Sequence, residues 1–489
     1  MDHMLDMNKS LESHFREIRE GVIGNNGFFM SPYGAKKILY ADWMATGRLY
    51  RPIEEKLMDE LGPYLANTHS YSSETGKVTS DLYMEARERI KAHVNADEDD
   101  ILVTTGSGMT GALARLQHIM GLKGARPSDP RKVPVVFITH MEHHSNQVSW
   151  METMADIVIV PPGEDLMPCP DKLDELLGNY KDRTLKIGAF TACSNVTGEM
   201  TDHKGLAKTM HAHGGICFFD FAASAPYVDI DMHPSDPDCR MDAIYFSPHK
   251  FLGGPGACGL LIFNKWLYKS ESPDIPGGGN VKWTTPWGKY AFFGDIELRE
   301  DGGTPGVIQT IKAALAIQLK EKMDTKLMYI KELALLGLFR DELKDIGEIK
   351  HFGNGHTRRI GCLSFNIKDI HYNLVVRLLN DRFGIQVRGG WSCASTFAHY
   401  LFGLDQARSS EIMNGIDQKN LRNKPGWVRV SLHPTMNDVD VEFITEALRE
   451  IVNSHEKWAK DYTYNPLNNE YEYIQMNSVD KVQHHFFGL

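Results

Sequence analysis

Two stretches decide the reading of this chain: Ile216-Cys217-Phe218-Phe219-Asp220, and Ala243-Ile244-Tyr245-Phe246-Ser247 running on into Pro248-His249-Lys250-Phe251-Leu252-Gly253-Gly254-Pro255-Gly256. Each is an apolar run of strand length that delivers a reactive group, a carboxylate in the first and a lysine just past the second. Runs that are apolar throughout, rather than alternating, belong to strands covered on both faces. Working outward, five more such runs occur at Ile101–Thr105, Val133–Thr139, Ile157–Val160, Lys186–Thr191 and Gly259–Phe263. Helix-like segments at Thr110–Met120, Asn146–Met154 and Asp202–His213 lie between them. The alternation predicts an α/β fold with a mainly parallel sheet whose functional groups gather at the carboxyl ends of the strands.

The pattern changes after a helix near Val307–Met323. A long helical stretch, Leu327–Lys344, precedes strands at Arg359–Ile367, Ile385–Arg388 and Val428–Leu432, with helices at Tyr372–Asp381 and Val439–Asn453. The expected organisation is an N-terminal arm over residues 1–36, a large domain over 37–320, a smaller α+β domain over 321–456 and a C-terminal tail over 457–489. From Trp458 onward the sequence is polar and aromatic and suggests no element.

Composition bounds the function. The chain has 489 residues, 42% hydrophobic and 24% charged, which is ordinary for a globular protein. Its formal charge is −11, so a nucleic-acid backbone or an anionic membrane is a poor partner. Cysteines 169, 193, 217, 239, 258, 362 and 393 are scattered singly, with no Cys-x-x-Cys pair. Neither a zinc module nor a disulfide framework is indicated. The polar start, Met1 to Phe15, lacks the apolar core of a signal peptide, and no run approaches a membrane span. The expectation is a cytoplasmic enzyme.

Four motifs carry chemistry. Thr105-Gly106-Ser107-Gly108-Met109-Thr110-Gly111 joins a strand to a helix, where backbone N–H groups and the helix dipole suit a phosphate. It has neither the Walker ending nor the dinucleotide spacing, and a ligand-free glycine turn reads equally well. His140-Met141-Glu142-His143-His144-Ser145-Asn146 offers metal ligands, a stacking imidazole or merely backbone-bonded loop histidines. Asp220, at the end of an apolar run, is costly without a cation or strong donor. Lys250, between an apolar strand and a glycine-rich turn, can form a Schiff base where its pKa is depressed. Each alone is weak. In this order they supply a phosphate anchor, a ring cover, an anion for a pyridinium proton and a covalent tether, which is what pyridoxal 5′-phosphate requires.

With these motifs the sequence resembles the class V, fold type I, pyridoxal-phosphate enzymes, and within them the cysteine desulfurase/selenocysteine lyase group. The matching stretches include Tyr40 to Thr46, Ser107 to Thr110, Met141 to Asn146, Cys193 to Gly198, Ser247 to Lys250, Gly303-Thr304-Pro305, Arg388 to Cys393 and Arg429 to Leu432. The resemblance implies a large domain with a mainly parallel seven-stranded sheet plus a smaller C-terminal domain. It implies pyridoxal phosphate held by Lys250, with Asp220 at the ring nitrogen and His143 stacked on the ring. Met109, Thr110, Ser247 and His249 would serve the phosphate, and Asn195 would lie beside the ring and substrate. Gly303 and Thr304 would reach the phosphate of a neighbouring subunit, implying a homodimer with shared sites. Arg429 would clamp the substrate carboxylate, helped by Asn195 and Ala45. Cys393 would be the thiol that takes sulfur from L-cysteine, leaving alanine and a persulfide for a sulfur-acceptor protein.

The chain also departs from the family. Ala223 stands where a glutamine or histidine usually follows the aspartate, Trp391 and Ser392 precede Cys393 where histidine is frequent, and Ser70 replaces an arginine after Asn67-Thr68-His69. Segments 266–299 and 401–426 are longer than a minimal desulfurase needs. These changes keep open another class V enzyme, a carbon–sulfur lyase or an aminotransferase, on a different amino acid. A non-catalytic scaffold and a zinc hydrolase built on His140–His144 are further alternatives.

Overall fold

The computed structural model describes residues 2–474 except His69, Ser107, Asn354, His356 and Thr357, and residues 2–9 without their side chains. The expectations for His69, Ser107 and positions 475–489 of the tail therefore lie outside the described residues. The chain forms two compact units, Met44–Ile330 with Asn354–Ile360, and Met1–Trp43 with Lys331–Gly353 and Gly361–Leu489.

The first of these is built on seven strands: β1 (Asp100–Thr105), β2 (Val135–Thr139), β3 (Asp156–Val160), β4 (Lys186–Thr191), β5 (Ile216–Asp220), β6 (Ala243–Phe246) and β7 (Gly259–Asn264). Their order is β1-β7-β6-β5-β4-β2-β3. Neighbours from β6 to β3 pair in parallel. β7 runs antiparallel to both β1 and β6. Every residue of β2, β4, β5 and β6 is buried, so successive side chains feed two cores. Phe219, Phe246 and Ile262 join one face, and Phe218, Tyr245 and Leu261 the other. That two-sided burial is why the sequence shows unbroken apolar runs. β2 starts two residues later than the sequence suggests because Val133 closes a 3-10 turn, Pro130–Lys132, and Pro134 has no N–H to give.

Among the helices here with no counterpart in the sequence reading are Glu74–His93 and Pro170–Gly178. The buried stripe of the longer one includes Gly76, Thr79, Ser80 and Arg87. Tyr83, Ala86 and Ile90 complete that face, but its first half, Gly76, Thr79 and Ser80, is small or polar and leaves little apolar periodicity to read.

The other unit carries a four-stranded antiparallel sheet of β8 (Ile349–His351), β9 (Cys362–Ile367), β10 (Arg388–Gly390) and β11 (Trp427–Ser431), in the order β8-β9-β11-β10. The single strand expected over Ile385–Arg388 is divided: Ile385–Gln386 pairs in parallel with Leu39–Tyr40, and β10 pairs with β11. The N-terminal helix Asp2–Gly21 buries Leu11, Phe15 and Ile18, and Val22 follows them just past its end. Residues up to Trp43 thus fold with this unit instead of standing apart as an arm. The helix Asp438–Trp458 starts on a capping box made by Asn437 and Asp440.

Segment 401–426 includes the helix Gln406–Asp417. The start of the tail is a hairpin of β12 (Tyr462–Asn465) and β13 (Glu470–Tyr473). Its tyrosines pair across the strands, Tyr462 with Tyr473 at 5.6 Å and Tyr464 with Tyr471 at 5.2 Å between ring centres, and Tyr462 donates to Asp381. Among the described residues no helix is long and apolar enough to cross a membrane.

Candidate active site

β5 ends on Asp220, whose register partners are Thr191 of β4 and Tyr245 of β6. The side chain is 3% exposed. Its Oδ1 accepts the Ala222 N–H at 2.8 Å, and among the described residues no donor reaches Oδ2. Burial pushes its pKa up to about 6, with the Ala222 N–H and the Lys250 ammonium pulling the other way. A buried carboxylate with one oxygen open fits a protonated ring nitrogen, which would supply both the donor and the charge.

Lys250 closes the 3-10 turn Pro248–Lys250 that follows β6, its N–H bonded to Ser247 O at 3.0 Å. The chain then doubles back so tightly that a Cβ on Gly254 would overlap the Pro248 carbonyl oxygen, which explains the glycines after the lysine. Ser247 Oγ accepts the Met109 N–H at 2.8 Å, at the start of the helix Gly108–Ile119. Gly108 itself has φ +60° and no room for a side chain beside Ser247 Oγ. Thr110 Oγ1 donates to Ser145 Oγ at 2.8 Å, and His249 Nδ1 meets Thr46 Oγ1 at 3.2 Å. Met109, Thr110, Ser247 and His249 are therefore tied into small hydroxyl-rich bonds around a helix N-terminus, with Ser145 and Thr46 joining unannounced by the sequence. Burial and the neighbouring Lys250 push His249 down to about 4, so it is neutral at neutral pH.

His143 caps the helix His144–Met151, its Nδ1 accepting the Ser145 N–H at 3.1 Å. That bond leaves the ring proton to Nε2. Glu142 points inward and is fully buried. Its Oε1 accepts from Thr139 N–H (3.1 Å), Thr139 Oγ1 (2.6 Å) and Thr191 N–H (3.0 Å), and its Oε2 from Asn146 Nδ2 (2.7 Å). Asn146 Oδ1 in turn accepts from Tyr245 OH at 2.7 Å. Burial pushes Glu142 up to about 7, against those hydrogen bonds. His140 turns to Leu166 O at 2.9 Å. The cluster that reads in sequence as candidate metal ligands thus splits, because Glu142 and His140 are committed to separate partners.

Asn195 is buried in the loop after β4, Ala223 is buried after β5, and Ala45 is half-buried in the turn before Thr46. Gly303, at φ +82°, and Thr304 are exposed, between the helices Ile296–Glu300 and Val307–Met323. The Gly303 N–H goes to Gly278 O. Among the described residues no hydrogen bond joins this pair to the Met109–Ser247 group.

In the smaller unit, Arg388 and Arg429 face each other across β10 and β11. Asp42 lies between them, Oδ1 at 2.8 Å from Arg429 Nη2 and Oδ2 at 3.1 Å from Arg388 Nε. Beyond β10, Ala394 N–H bonds Trp391 O at 2.9 Å and closes a turn. Its central residues, Ser392 and Cys393, have φ of 49° and 57°. Such a turn suits glycine or asparagine, and each side chain there is strained by about 1 kcal/mol. Trp427 Nε1 holds Ser392 Oγ at 3.1 Å. Cys393 is exposed, whereas the other six cysteines are buried or half-buried. Lys424 sets its ammonium 4.5 Å from the Trp391 ring centre. Burial pushes its pKa down, and the charge of the Cys393 sulfur opposes that.

The family model described as aminotransferase class-V matches residues 39–444. The chain belongs to this family. Among curated class-V relatives, a probable cysteine desulfurase of Staphylococcus epidermidis is 29% identical over 380 residues, covering 77% of this chain and 87% of the relative. One from Staphylococcus aureus is 28% identical over 383 residues, with the same coverage. The apo structure of the cysteine desulfurase from Thermococcus onnurineus NA1 superposes with a TM-score of 0.73 at 20% identity, over 90% of this chain and 98% of that one. The cysteine desulfurase CsdA of Escherichia coli gives 0.67 at 23% identity, over 85% and 94%. These two likenesses show that the class-V fold is shared.

Sequence reading did not single out Asp42, Glu142 as a buried anchor, or Lys424. Asp42 sits in the quoted stretch from Tyr40 to Thr46, but nothing local marks it as the partner of an arginine 387 positions away.

Proposed function

We propose that this class-V enzyme binds pyridoxal 5′-phosphate and removes sulfur from L-cysteine, giving alanine and a persulfide on Cys393. The observation that carries the reading is the presentation of Cys393, the one exposed cysteine among the described residues, on a tight turn beside the Lys424 ammonium. The printed names of the curated relatives support it, and Asp220 with its open Oδ2 supports the cofactor. When bound, pyridoxal phosphate supplies the electron sink for the pair released at the substrate Cα.

The residues have separable tasks. Asp220 keeps the proton on the ring nitrogen. His143 covers the ring face with its imidazole. The Met109, Thr110, Ser247 and His249 group holds the phosphate, with Gly303 and Thr304 of a second copy completing it in a homodimer. Lys250 Nζ would hold the cofactor and would move the proton at the substrate Cα. Asn195 and Ala45 line the substrate, and Arg429 takes its carboxylate through paired N–H donors. The Cys393 thiolate attacks the substrate Sγ. The new S–S bond forms as the Cβ–S bond breaks, its electron pair stays on the Cβ side, and protons at Cβ and Cα complete alanine. The persulfide then passes to an acceptor carrying a thiol.

The test is the purified protein with L-cysteine, its visible spectrum followed while alanine and sulfide are assayed with reductant present. A cofactor band that shifts as alanine forms in step with sulfide supports the reading. Pyruvate and ammonia instead of alanine would make it a lyase. No band after pyridoxal phosphate is supplied would overturn the cofactor assignment. Cys393→Ser should abolish the persulfide and cut desulfuration at least about a hundred-fold.

A further inference from the structure

Asp220 opens a compact turn. Its Oδ1 takes the Ala222 N–H, and the chain then closes two helical turns, with Ala225 N–H on Phe221 O at 2.7 Å and Val228 N–H on Ser224 O at 3.1 Å. Such turns end on carbonyls that favour a donor or a cation. Lys320, on the helix Val307–Met323, supplies both. Its ammonium is buried, at 2% exposure, and donates to Val228 O. The same ammonium lies 5.8 Å from the ring centre of Phe251, the residue after Lys250. Phe251 N–H bonds Pro248 O at 2.9 Å, which fixes that residue to the turn carrying Lys250. Lys320 Nζ also lies 3.1 Å from His93 Nε2, and His93 Nδ1 meets Glu321 Oε1 at 2.7 Å. The Glu321 carboxylate draws the ring proton to Nδ1 and leaves Nε2 to accept from Lys320.

We infer that Lys320 is a positioning residue for the proposed cofactor site, tying the turn that begins at Asp220 to the segment that leaves Lys250 and so fixing the spacing of carboxylate and amine. The inference rests on the reading that these two groups hold pyridoxal phosphate. An apolar side chain would fill the same volume without the cost of burying a charge, so the contribution of the ammonium lies in the two segments it joins. Burial pushes Lys320 down to about 7, with Asp229 beside Val228 and Glu321 on its own helix pulling it back up. His93, pushed down to about 3 by burial and then by the Lys320 charge, brings no charge of its own. The tie is therefore complete below neutral pH and weakens as pH rises through 7, when the ammonium gives up its proton.

The test compares full-length wild type with Lys320→Met, which fills the buried volume but donates nothing. Amide hydrogen exchange, taken first without cofactor, reads the tie itself. At pH 6 exchange in Lys320→Met should quicken by about ten-fold over both 222–228 and 251–254, and the ratio to wild type should shrink to about two-fold at pH 8. Loosening of one segment alone, or of neither, overturns the inference. Pyridoxal phosphate is then added to both proteins. The variant should retain it about ten-fold less tightly, and its visible band should change at a different pH from that of wild type. Loosened segments with unchanged retention and an unchanged band mark a purely structural tie and overturn the inference too. If Lys320→Met does not fold, Glu321→Gln, at an exposed position, removes one charge that supports the ammonium and should loosen both segments by about three-fold; no loosening there overturns it. A wild type that takes up no pyridoxal phosphate fails the cofactor reading instead, and the exchange rates still decide whether Lys320 joins the two segments.

Discussion

At Asp220 the protein stores a cost that the proposed cofactor would relieve. The folded pKa of about 6 stands above the ordinary 3.8 because burial disfavours the anion. Below about pH 4 both folded and unfolded chains hold the proton and the cost is absent. As pH rises through 6 the folded chain must give up the proton, and the cost reaches its full size, about 3 kcal/mol. Asp220→Asn should therefore raise the melting temperature of cofactor-free protein at pH 8, with the gain fading by pH 4, while the variant retains pyridoxal phosphate poorly. Thermal melts across that range check the sign. Lys424 allows a second residue-scale test. Lys424→Met should slow iodoacetamide alkylation of Cys393 at pH 7 by about five-fold, corresponding to about 1 kcal/mol, and Lys424→Arg should restore most of the rate. The pairing of Lys424 with Cys393 could not be read from sequence, because Lys424 lies 31 positions beyond Cys393 in a segment of undistinguished polarity.

Among elements, Glu142 joins three. Its carboxylate gathers N–H and O–H groups from the ends of β2 and β4 and from the helix that carries His143. Glu142→Ala would leave four donors without their acceptor and should destabilise the protein by at least about 3 kcal/mol. Glu142→Gln, which keeps the oxygen that serves three of them, should cost about 1 kcal/mol. Chemical denaturation with both variants separates the two. The strands themselves were legible because burial on both faces writes itself as continuous apolar sequence, and six of the seven expected starts fall within one residue of those observed. Glu142 was visible as a residue but not as an anchor. Its position beside three histidines suggests a metal ligand, and only the fold reveals that the carboxylate points the other way. The helix Glu74–His93 stayed hidden for a related reason, since its packing face mixes glycine, threonine, serine and arginine with only Tyr83, Ala86 and Ile90.

Taken as a whole molecule, the chain holds most of its proposed cofactor residues on one side of its sheet but leaves Gly303 and Thr304 exposed. The homodimer reading makes this a matter of complementation. Mixing inactive Lys250→Ala with a variant crippled at Thr304 should regenerate mixed dimers with one intact site, giving about a quarter of wild-type activity for random assortment, whereas sites confined to single chains would yield none. Gel filtration of the mixture gives the assembly state alongside. The order of motifs along the chain made the class-V architecture readable, since each motif falls after its own strand. The Asp42–Arg429 pair was not readable, because two ends of the chain must meet to form it.

The isolation of Cys393 at the surface has a practical side. With the remaining cysteines buried or half-buried, a maleimide dye at limiting dose should attach at one position, and aerobic storage should damage that position first. Loss of labelling on standing would then count spoiled molecules directly, and the same sulfur that makes the protein useful would serve as the gauge of its shelf life.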